Sequence, residues 1–170
     1  MNILIQNTAK AEQFAMLFQH VKAMCEHINL MFDATRMYVQ CMDGSHVSIM
    51  ELTLPATWFD RYTHTHDTQI VIGLSSAMLF KILNSRDKSQ QLVIDLQSAD
   101  ADTLCIHFTG DNKKEFDKHF ELPLISLESE PMEIPPIEYN AELSLSAPHF
   151  ASIISQLQMF GDTMEIECSE

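Results

Sequence analysis

Residues 42–54 have the sequence Met-Asp-Gly-Ser-His-Val-Ser-Ile-Met-Glu-Leu-Thr-Leu, and the fold prediction starts from them. On both sides of Asp43-Gly44-Ser45, over residues 37–42 and 47–52, successive side chains alternate with a period of two. This pattern predicts two antiparallel strands joined by a tight turn. Asp-Gly favours such a turn because glycine adopts a positive φ without steric cost, so we expect Gly44 to supply the left-handed residue.

The identities of these residues also resemble those of a known family. Met42-Asp43, Ser45-His46-Val47-Ser48 and Leu52-Thr53-Leu54 closely resemble the signature of the eukaryotic-type DNA sliding clamps, the proliferating cell nuclear antigen family. Further matches follow in order along nearly the whole chain: Phe59-Asp60 with Tyr62, Ile72-Gly73, Lys81-Ile82-Leu83, Asp102-Thr103-Leu104, Ile134-Pro135, Glu138-Tyr139, Phe150-Ala151 with Ile153 and Leu157, and Gly161-Asp162. The resemblance implies an α+β DNA-clamp fold, with antiparallel β-sheets and helices packed on one face.

Composition limits the function classes. The chain has 170 residues, of which 46% are hydrophobic and 20% charged, an ordinary globular composition. A net charge of −14 argues against a generic nucleic-acid binder but permits a local basic lining. No apolar run approaches the roughly 20 residues of a membrane helix, so no membrane partner is expected. The four cysteines show no C-x-x-C spacing, which predicts free thiols rather than a zinc ribbon or redox pair.

No catalytic motif stands out in the sequence. It contains no H-E-x-x-H motif and no phosphate-binding glycine loop, and it has only four glycines in total. We therefore expect no enzyme activity, catalytic residue, cofactor or resident metal. One weak alternative stays open, a small metal-dependent enzyme that uses His64 and His66 on one strand face, although no third ligand has suitable spacing.

The sequence predicts three segments. Residues 1–123 contain strands and two helices and form an N-terminal clamp domain. Residues 124–138 are acidic, contain three prolines and lack a sustained period, which is typical of a linker; the resemblance makes this the interdomain connecting loop. Residues 139–170 restart the opening pattern, with a strand over 139–145 and a helix over 148–158, as in an incomplete second clamp domain.

This incompleteness has a predicted consequence for assembly. The resemblance implies a homotrimeric ring in which the last strand of the first domain pairs with a strand deep in the second domain of a neighbour. The chain ends before that second strand, so we expect a full-length clamp to form a homotrimer and this chain not to close such a ring alone. A second domain cut at this point is too small to bury its own core.

The two predicted helices carry the proposed contact with DNA. Asn7 or Thr8 can cap the first helix, whose apolar face has the i, i+3, i+4, i+7 spacing of Phe14, Leu17, Phe18 and Val21. The second helix runs over residues 77–85, with Leu79, Ile82 and Leu83 on its buried side. By resemblance the opposite faces line a channel for double-stranded DNA, bound without sequence preference through Lys10, Lys22 and Lys81. The exposed face of the first helix (Glu12, Met16, Gln19, His20) departs from the lysine-rich face of the family.

The resemblance also implies a hydrophobic groove for a partner's peptide. Its residues would come from the hairpin and the linker: Met42, His46, Val47, Ile49, Met132, Ile134, Pro135 and Tyr139. The peptide would present one aliphatic and two aromatic anchors in a 3₁₀ turn. From the residues alone, the alternative is that Met42 and Ile49 are ordinary core residues.

The predicted function is a sliding clamp, a DNA polymerase processivity factor that encircles duplex DNA and docks replication and repair proteins. Its implied partners are DNA polymerase, the clamp loader and other proteins with a clamp-binding peptide, in the nucleus or at a viral replication site. The alternative is a shortened clamp that binds or titrates partner peptides without encircling DNA.

Overall fold

The computed structural model describes residues 1–98, 100–110, 116–127, 131–136 and 138–167, which form two units, residues 1–132 and 133–170. The boundary between the units lies within the predicted linker. The strands are β1 (Asn2–Ile5), β2 (His27–Phe32), β3 (Arg36–Met42), β4 (Ile49–Pro55), β5 (Arg61–Thr63), β6 (Ile70–Ser75), β7 (Gln91–Asp95), β8 (Thr103–Thr109) and β9 (Lys118–Pro123). The helices are α1 (Thr8–Met24), α2 (Ser76–Leu83) and α3 (Ala147–Leu157), with a 3₁₀ turn at Ala56–Trp58.

The nine strands of the first unit form two antiparallel sheets. One has the order β5-β1-β7-β8-β9 and the other the order β4-β3-β2-β6. Because side chains alternate across a strand, each sheet has a buried inner face and a half-exposed outer face. On β8, for example, Leu104, Ile106 and Phe108 are buried while His107 lies between them on the outer face.

α1 and α2 cover the inner faces of both sheets. Asn7 caps α1, since its Oδ1 accepts hydrogen bonds from the amides of Ala9 (3.0 Å) and Lys10 (3.1 Å). Buried α1 residues join one core with α2 and both sheets, and this core includes Leu83, with Leu17 packed against it. The predicted apolar faces of both helices are therefore confirmed, with Leu17 half-buried.

Asp60 fixes the junction between β1 and α1. Its Oδ2 accepts hydrogen bonds from the amides of Gln6 (2.6 Å) and Asn7 (3.1 Å). These two amides, that of Asn7 first, hold the carboxyl pKa of Asp60 below its usual value, and burial opposes them. Asp60, one of the residues that resemble the clamp family, thus has a structural role in this chain.

The hairpin of β3 and β4 is confirmed, but its predicted turn is wrong. The strands pair from Arg36↔Pro55 to Met42↔Ile49, which leaves a six-residue loop and places Val47 outside the strand. Among the described residues no glycine has a positive φ, whereas His46 has a φ of 59°. The side chain of Asp43 closes the loop by accepting hydrogen bonds from Ser45, Val47 and Ser48, and these bonds lower its pKa to about 2.

Other element bounds differ at their ends. α2 begins one residue earlier than predicted because Ser75 caps it, and it ends at Leu83 rather than at residue 85. Alternation in the sequence predicts strands over residues 91–97 and 114–123. In the structure β7 ends at Asp95 and β9 begins at Lys118; residues 111–115 lie outside the described part of the chain. None of these differences changes which face a side chain occupies.

The second unit contains α3, as predicted, but residues 139–145 do not form the predicted strand. A strand requires a pairing partner, and these residues have none among the described part of the unit. No described residue of this unit is buried; Phe150 and Leu157 on the apolar face of α3 are 42% and 45% exposed. Across the described chain, none of the helices combines the length and apolarity needed to cross a membrane.

Candidate functional site

Met42 and Ile49 lie opposite each other at the end of the hairpin, on its outer face. Met42 is half-buried and Ile49 is 41% exposed, and neither belongs to the buried core, which excludes the core alternative for this pair. In the adjoining loop His46 is exposed and Val47 is 83% exposed. The hairpin therefore presents an apolar tip at the molecular surface.

The linker is attached to the outer face of the same sheet at three places. The amide of Ile125 donates to the carbonyl oxygen of Gly73 on β6 (2.8 Å). The Nδ2 of Asn29 on β2 lies 3.5 Å from the carbonyl oxygen of Leu127. At the third place, Gln40 on β3 contacts Met132. The attachments therefore lie on β6, β2 and β3, which are adjacent strands and lead toward the hairpin.

Gly73 permits the first attachment. A Cβ at this position would overlap the carbonyl oxygen of Ile125 and press on the side chain of Leu127. Any larger residue would force the linker away from the sheet. Glycine is therefore required at position 73 because the backbone of Ile125 approaches it closely.

Gln40 makes the third attachment through both ends of its carboxamide. Its Oε1 accepts a hydrogen bond from the Met132 amide (2.6 Å), and its Nε2 donates to the Met132 carbonyl oxygen (2.9 Å). The same Nε2 lies 3.3 Å from Glu51, which accepts a hydrogen bond from Tyr38. Burial, followed by Glu51, raises the pKa of Tyr38 to about 12. The Gln40 carboxamide thus pairs with both the N–H and the C=O of Met132, as the backbone of a neighbouring β-strand would.

Sequence reasoning missed Gln40, although a signal existed. Gln40 precedes Met42 by two residues and so shares its face of β3. A polar residue beside an exposed apolar pair is a candidate for contact with an extended segment. Its partner, Met132, lies 92 positions away, and no local pattern identifies it.

A cleft of about 380 Å³ adjoins this attachment. Its lining includes Cys25, Gln40, Cys41, Met42 and Met132, all from the first unit. The Cys25 thiol donates to the carbonyl oxygen of Met42 (2.7 Å). Desolvation, and then Cys25, raises the pKa of the Cys41 thiol to about 12, so this thiol stays protonated at neutral pH. The lining also includes the polar residues Glu26, His27 and Asn29, so the cleft is a mixed surface. Its flexible methionines can adapt to a partner side chain, and its polar groups can orient that side chain.

The predicted groove residues divide between the two units. The first unit contains Met42, His46, Val47, Ile49 and Met132, and the cleft brings Met42 and Met132 together. The second unit contains Ile134, Pro135 and Tyr139, all exposed, with Tyr139 at 79%.

The predicted DNA-binding lysines have different surroundings. Lys10 donates to the carbonyl oxygen of Trp58 (2.7 Å) and lies 3.9 Å from Asp60. Lys22 lies over the ring of Phe80 on α2, with its Nζ 5.0 Å from the ring centroid. Lys81 is exposed on α2. The ammonium groups of Lys22 and Lys81 are therefore available on the exposed side of the helix layer. The ammonium group of Lys10 instead contacts Trp58 and Asp60 within the domain.

His64 and His66, the candidate metal pair, have ring centroids 6.0 Å apart. The Nε2 of His64 lies 3.1 Å from the carbonyl oxygen of Phe32, a contact that occupies one ring nitrogen. Among the described residues no group of three or more potential metal ligands occurs. The geometry gives the metal-dependent enzyme no support.

Comparison with known families decides the assignment. The model for the N-terminal domain of proliferating cell nuclear antigen matches residues 4–131, well over half of the chain. The chain belongs to this family. Members of the proliferating cell nuclear antigen family are non-enzymatic clamps, which agrees with the predicted lack of catalysis.

Individual proteins show the same similarity. Proliferating cell nuclear antigen 1 of Plasmodium falciparum, from isolate K1 and from isolate 3D7, is 33% identical over 155 residues, 89% of this chain and 54% of the relative. The crystal structure of the proliferating cellular nuclear antigen from Entamoeba histolytica matches with a TM-score of 0.81 and 26% identity, over 95% of this chain and 62% of that one. The crystal structure of PCNA from Thermococcus kodakaraensis matches with a TM-score of 0.68 and 20% identity, over 80% of this chain and 51% of that one.

These matches confirm the predicted DNA-clamp fold. The chain spans about half the length of the curated relatives it matches.

Proposed function

We propose that this chain acts as part of a DNA sliding clamp, a processivity factor for DNA polymerase in the nucleus or at a viral replication site. Family membership supports this proposal. In it, residues 1–123 form a clamp domain, residues 124–138 the interdomain connecting loop, and residues 139–170 the start of a second clamp domain. β9, the edge strand of the five-stranded sheet, would pair with a neighbouring subunit in the homotrimeric ring of a full-length clamp.

The single observation that carries the proposal is the attachment of the linker beside the hairpin. Gln40 holds Met132 next to the half-buried Met42, and the neighbouring Val47 and Ile49 are exposed although they are apolar. An exposed apolar patch bordered by polar groups is typical of a protein-binding surface. We propose that polymerase, clamp loader and other partners dock a short peptide here.

Titration with a synthetic peptide that has one aliphatic and two aromatic anchors tests the groove. We expect Met42→Ala to weaken binding by about tenfold, the cost of removing a central apolar anchor. Met16→Ala is the matched control, since this methionine is 53% exposed on α1, which packs on the inner faces of the sheets, whereas Met42 lies on the outer face. Equal affinity of the Met42→Ala and Met16→Ala variants would refute the groove.

The helix layer is proposed to face double-stranded DNA. Lys22 and Lys81 are exposed on adjacent helices and would contact phosphates, so binding should weaken with salt and ignore sequence. We expect Lys22→Ala and Lys81→Ala each to reduce the salt dependence of retention on circular DNA. Lys88→Ala, an exposed lysine beyond the end of α2, is the control and should have no effect. An unchanged salt dependence in both helix variants would contradict this orientation.

A second candidate function is a peptide-binding module that does not encircle DNA. It is favoured by one observation, the low positive charge of the helix layer, where Lys10 is bound to Trp58 and Asp60. Retention on circular DNA that is lost when the circle is cut supports the encircling clamp. Peptide binding without any such retention supports the module.

A further inference from the structure

His107 and His119 face each other across β8 and β9 on the outer surface of the five-stranded sheet. They are direct partners in the strand register. Their Nδ1 atoms are 2.7 Å apart, and their ring centroids are 4.3 Å apart. In a directly opposed pair both imidazoles lie on the same side of the sheet, and here the two Nδ1 atoms face each other.

This spacing is close to that of two ligands on one metal ion. Metal–nitrogen bonds of about 2.0–2.1 Å in a tetrahedral site place two ligand nitrogens about 3.3 Å apart. A small rotation of the His119 ring, which is half-exposed, opens the pair to that distance. The backbone does not need to move.

Glu121 favours the required tautomer of His119. Its Oε1 lies 3.4 Å from Nε2 of His119, the nitrogen that faces away from His107. A carboxylate beside the distal nitrogen keeps the proton there and leaves the lone pair on Nδ1, the arrangement that carboxylate–histidine–metal sites use. Asp95 lies on the same outer face, opposite Cys105, so a second carboxylate adds negative charge beside the pair.

We propose that His107 and His119 chelate one divalent transition-metal ion of the zinc and copper class through their two Nδ1 atoms. The described part of the chain supplies no third ligand, so water molecules complete the coordination shell. Two neutral imidazoles suit these ions, whereas magnesium and calcium prefer oxygen ligands. On binding, the proton that links the two Nδ1 atoms moves to Nε2 of its own ring, or to solvent if that ring is protonated.

The site would join the edge strand β9 to β8. A ligand that binds the folded chain stabilises it by mass action. Because the two ligands lie on neighbouring strands, metal binding should protect the pairing of this edge. The inference is independent of the proposed clamp function, since it concerns the face of the sheet opposite the helices.

Calorimetric titration of the untagged 170-residue chain with Zn²⁺ tests the proposal. We expect one ion per chain, with binding weakened about tenfold or more in His107→Gln and His119→Gln and several-fold in Glu121→Gln. His20→Gln is the matched control, because His20 is exposed on α1. Mg²⁺ should not bind at the same concentrations.

A measurement on the unmodified chain guards against variants that fail to fold. Zn²⁺ should shift the ¹⁵Nδ1 resonances of His107 and His119 more than those of the other histidines, and should raise the melting temperature. The proposal is overturned if no Zn²⁺ binds at millimolar concentration. It is also overturned if His20→Gln weakens binding as much as His119→Gln, or if the two resonances do not move.

Discussion

Replacement of Gln40 by Met tests the attachment of the linker. Methionine has nearly the same length and shape but cannot make the two hydrogen bonds to the Met132 backbone, at 2.6 and 2.9 Å. A net contribution of about 0.5–1.5 kcal/mol per hydrogen bond gives about 1–3 kcal/mol for the pair, and partial exposure of Gln40 favours the lower half of this range. One or two kcal/mol corresponds to a change of about 5–30-fold in the local opening equilibrium.

Hydrogen exchange of individual amides measures this opening. The Met132 amide should exchange about 5–30-fold faster in Gln40→Met, while the Ile125 amide, bonded to Gly73 at 2.8 Å, keeps its rate and serves as the internal control. Gln40→Glu keeps the acceptor for the Met132 amide but places a second carboxylate beside Glu51, so it should not restore protection. If the Met132 amide exchanges within twofold of its original rate in Gln40→Met, the two hydrogen bonds do not stabilise the attachment of the linker.

Two further predictions concern stability. Gly73→Ala should lower the free energy of unfolding by about 1–3 kcal/mol in urea denaturation, because the added Cβ overlaps the Ile125 carbonyl oxygen; Gly44→Ala, whose Cβ meets nothing within 4 Å, is the control and should be near neutral. Asp60→Asn should make the free energy of unfolding depend less on pH in the acid range. The amide of Asn7 lowers the pKa of Asp60 in the folded state. The Asp60 carboxylate therefore stabilises the fold above its unfolded-state pKa of about 4, and this stabilisation is lost as the pH falls below that value. An unchanged pH dependence in the acid range would contradict this role.

The sequence predicts those helices and strands that are determined by residues close together in the chain. The apolar face of α1 was recognisable because Phe14, Phe18 and Val21 repeat at helical spacing and all three are buried. The β3–β4 hairpin was recognisable because alternation continues on both sides of a short polar loop. In each case the residues that decide the structure lie within a few positions of one another.

The features that sequence reasoning did not find depend on distant partners or on exact loop geometry. Residues 139–145 alternate like a strand, but alternation predicts only a surface that could pair, and the described residues provide no partner. The left-handed residue of the hairpin loop is His46 rather than Gly44 because the loop has six residues and the Asp43 side chain organises it. The pairing of His107 with His119 depends on the β8–β9 register, which single strands do not encode.

The apolar tip of the hairpin is energetically separate from the core beneath it. Met42 and Ile49 lie on the outer face of strands whose inner residues, Val39 and Leu54 among them, are already buried against the helices. Removal of the Met42 side chain leaves no enclosed cavity, so it lacks the cavity cost that makes core truncations expensive. We therefore expect Met42→Ala to change the urea midpoint little while it weakens peptide binding. A loss of stability as large as that of a core substitution, about 2–5 kcal/mol, would show that the tip belongs to the core and that its exposure has no bearing on a partner.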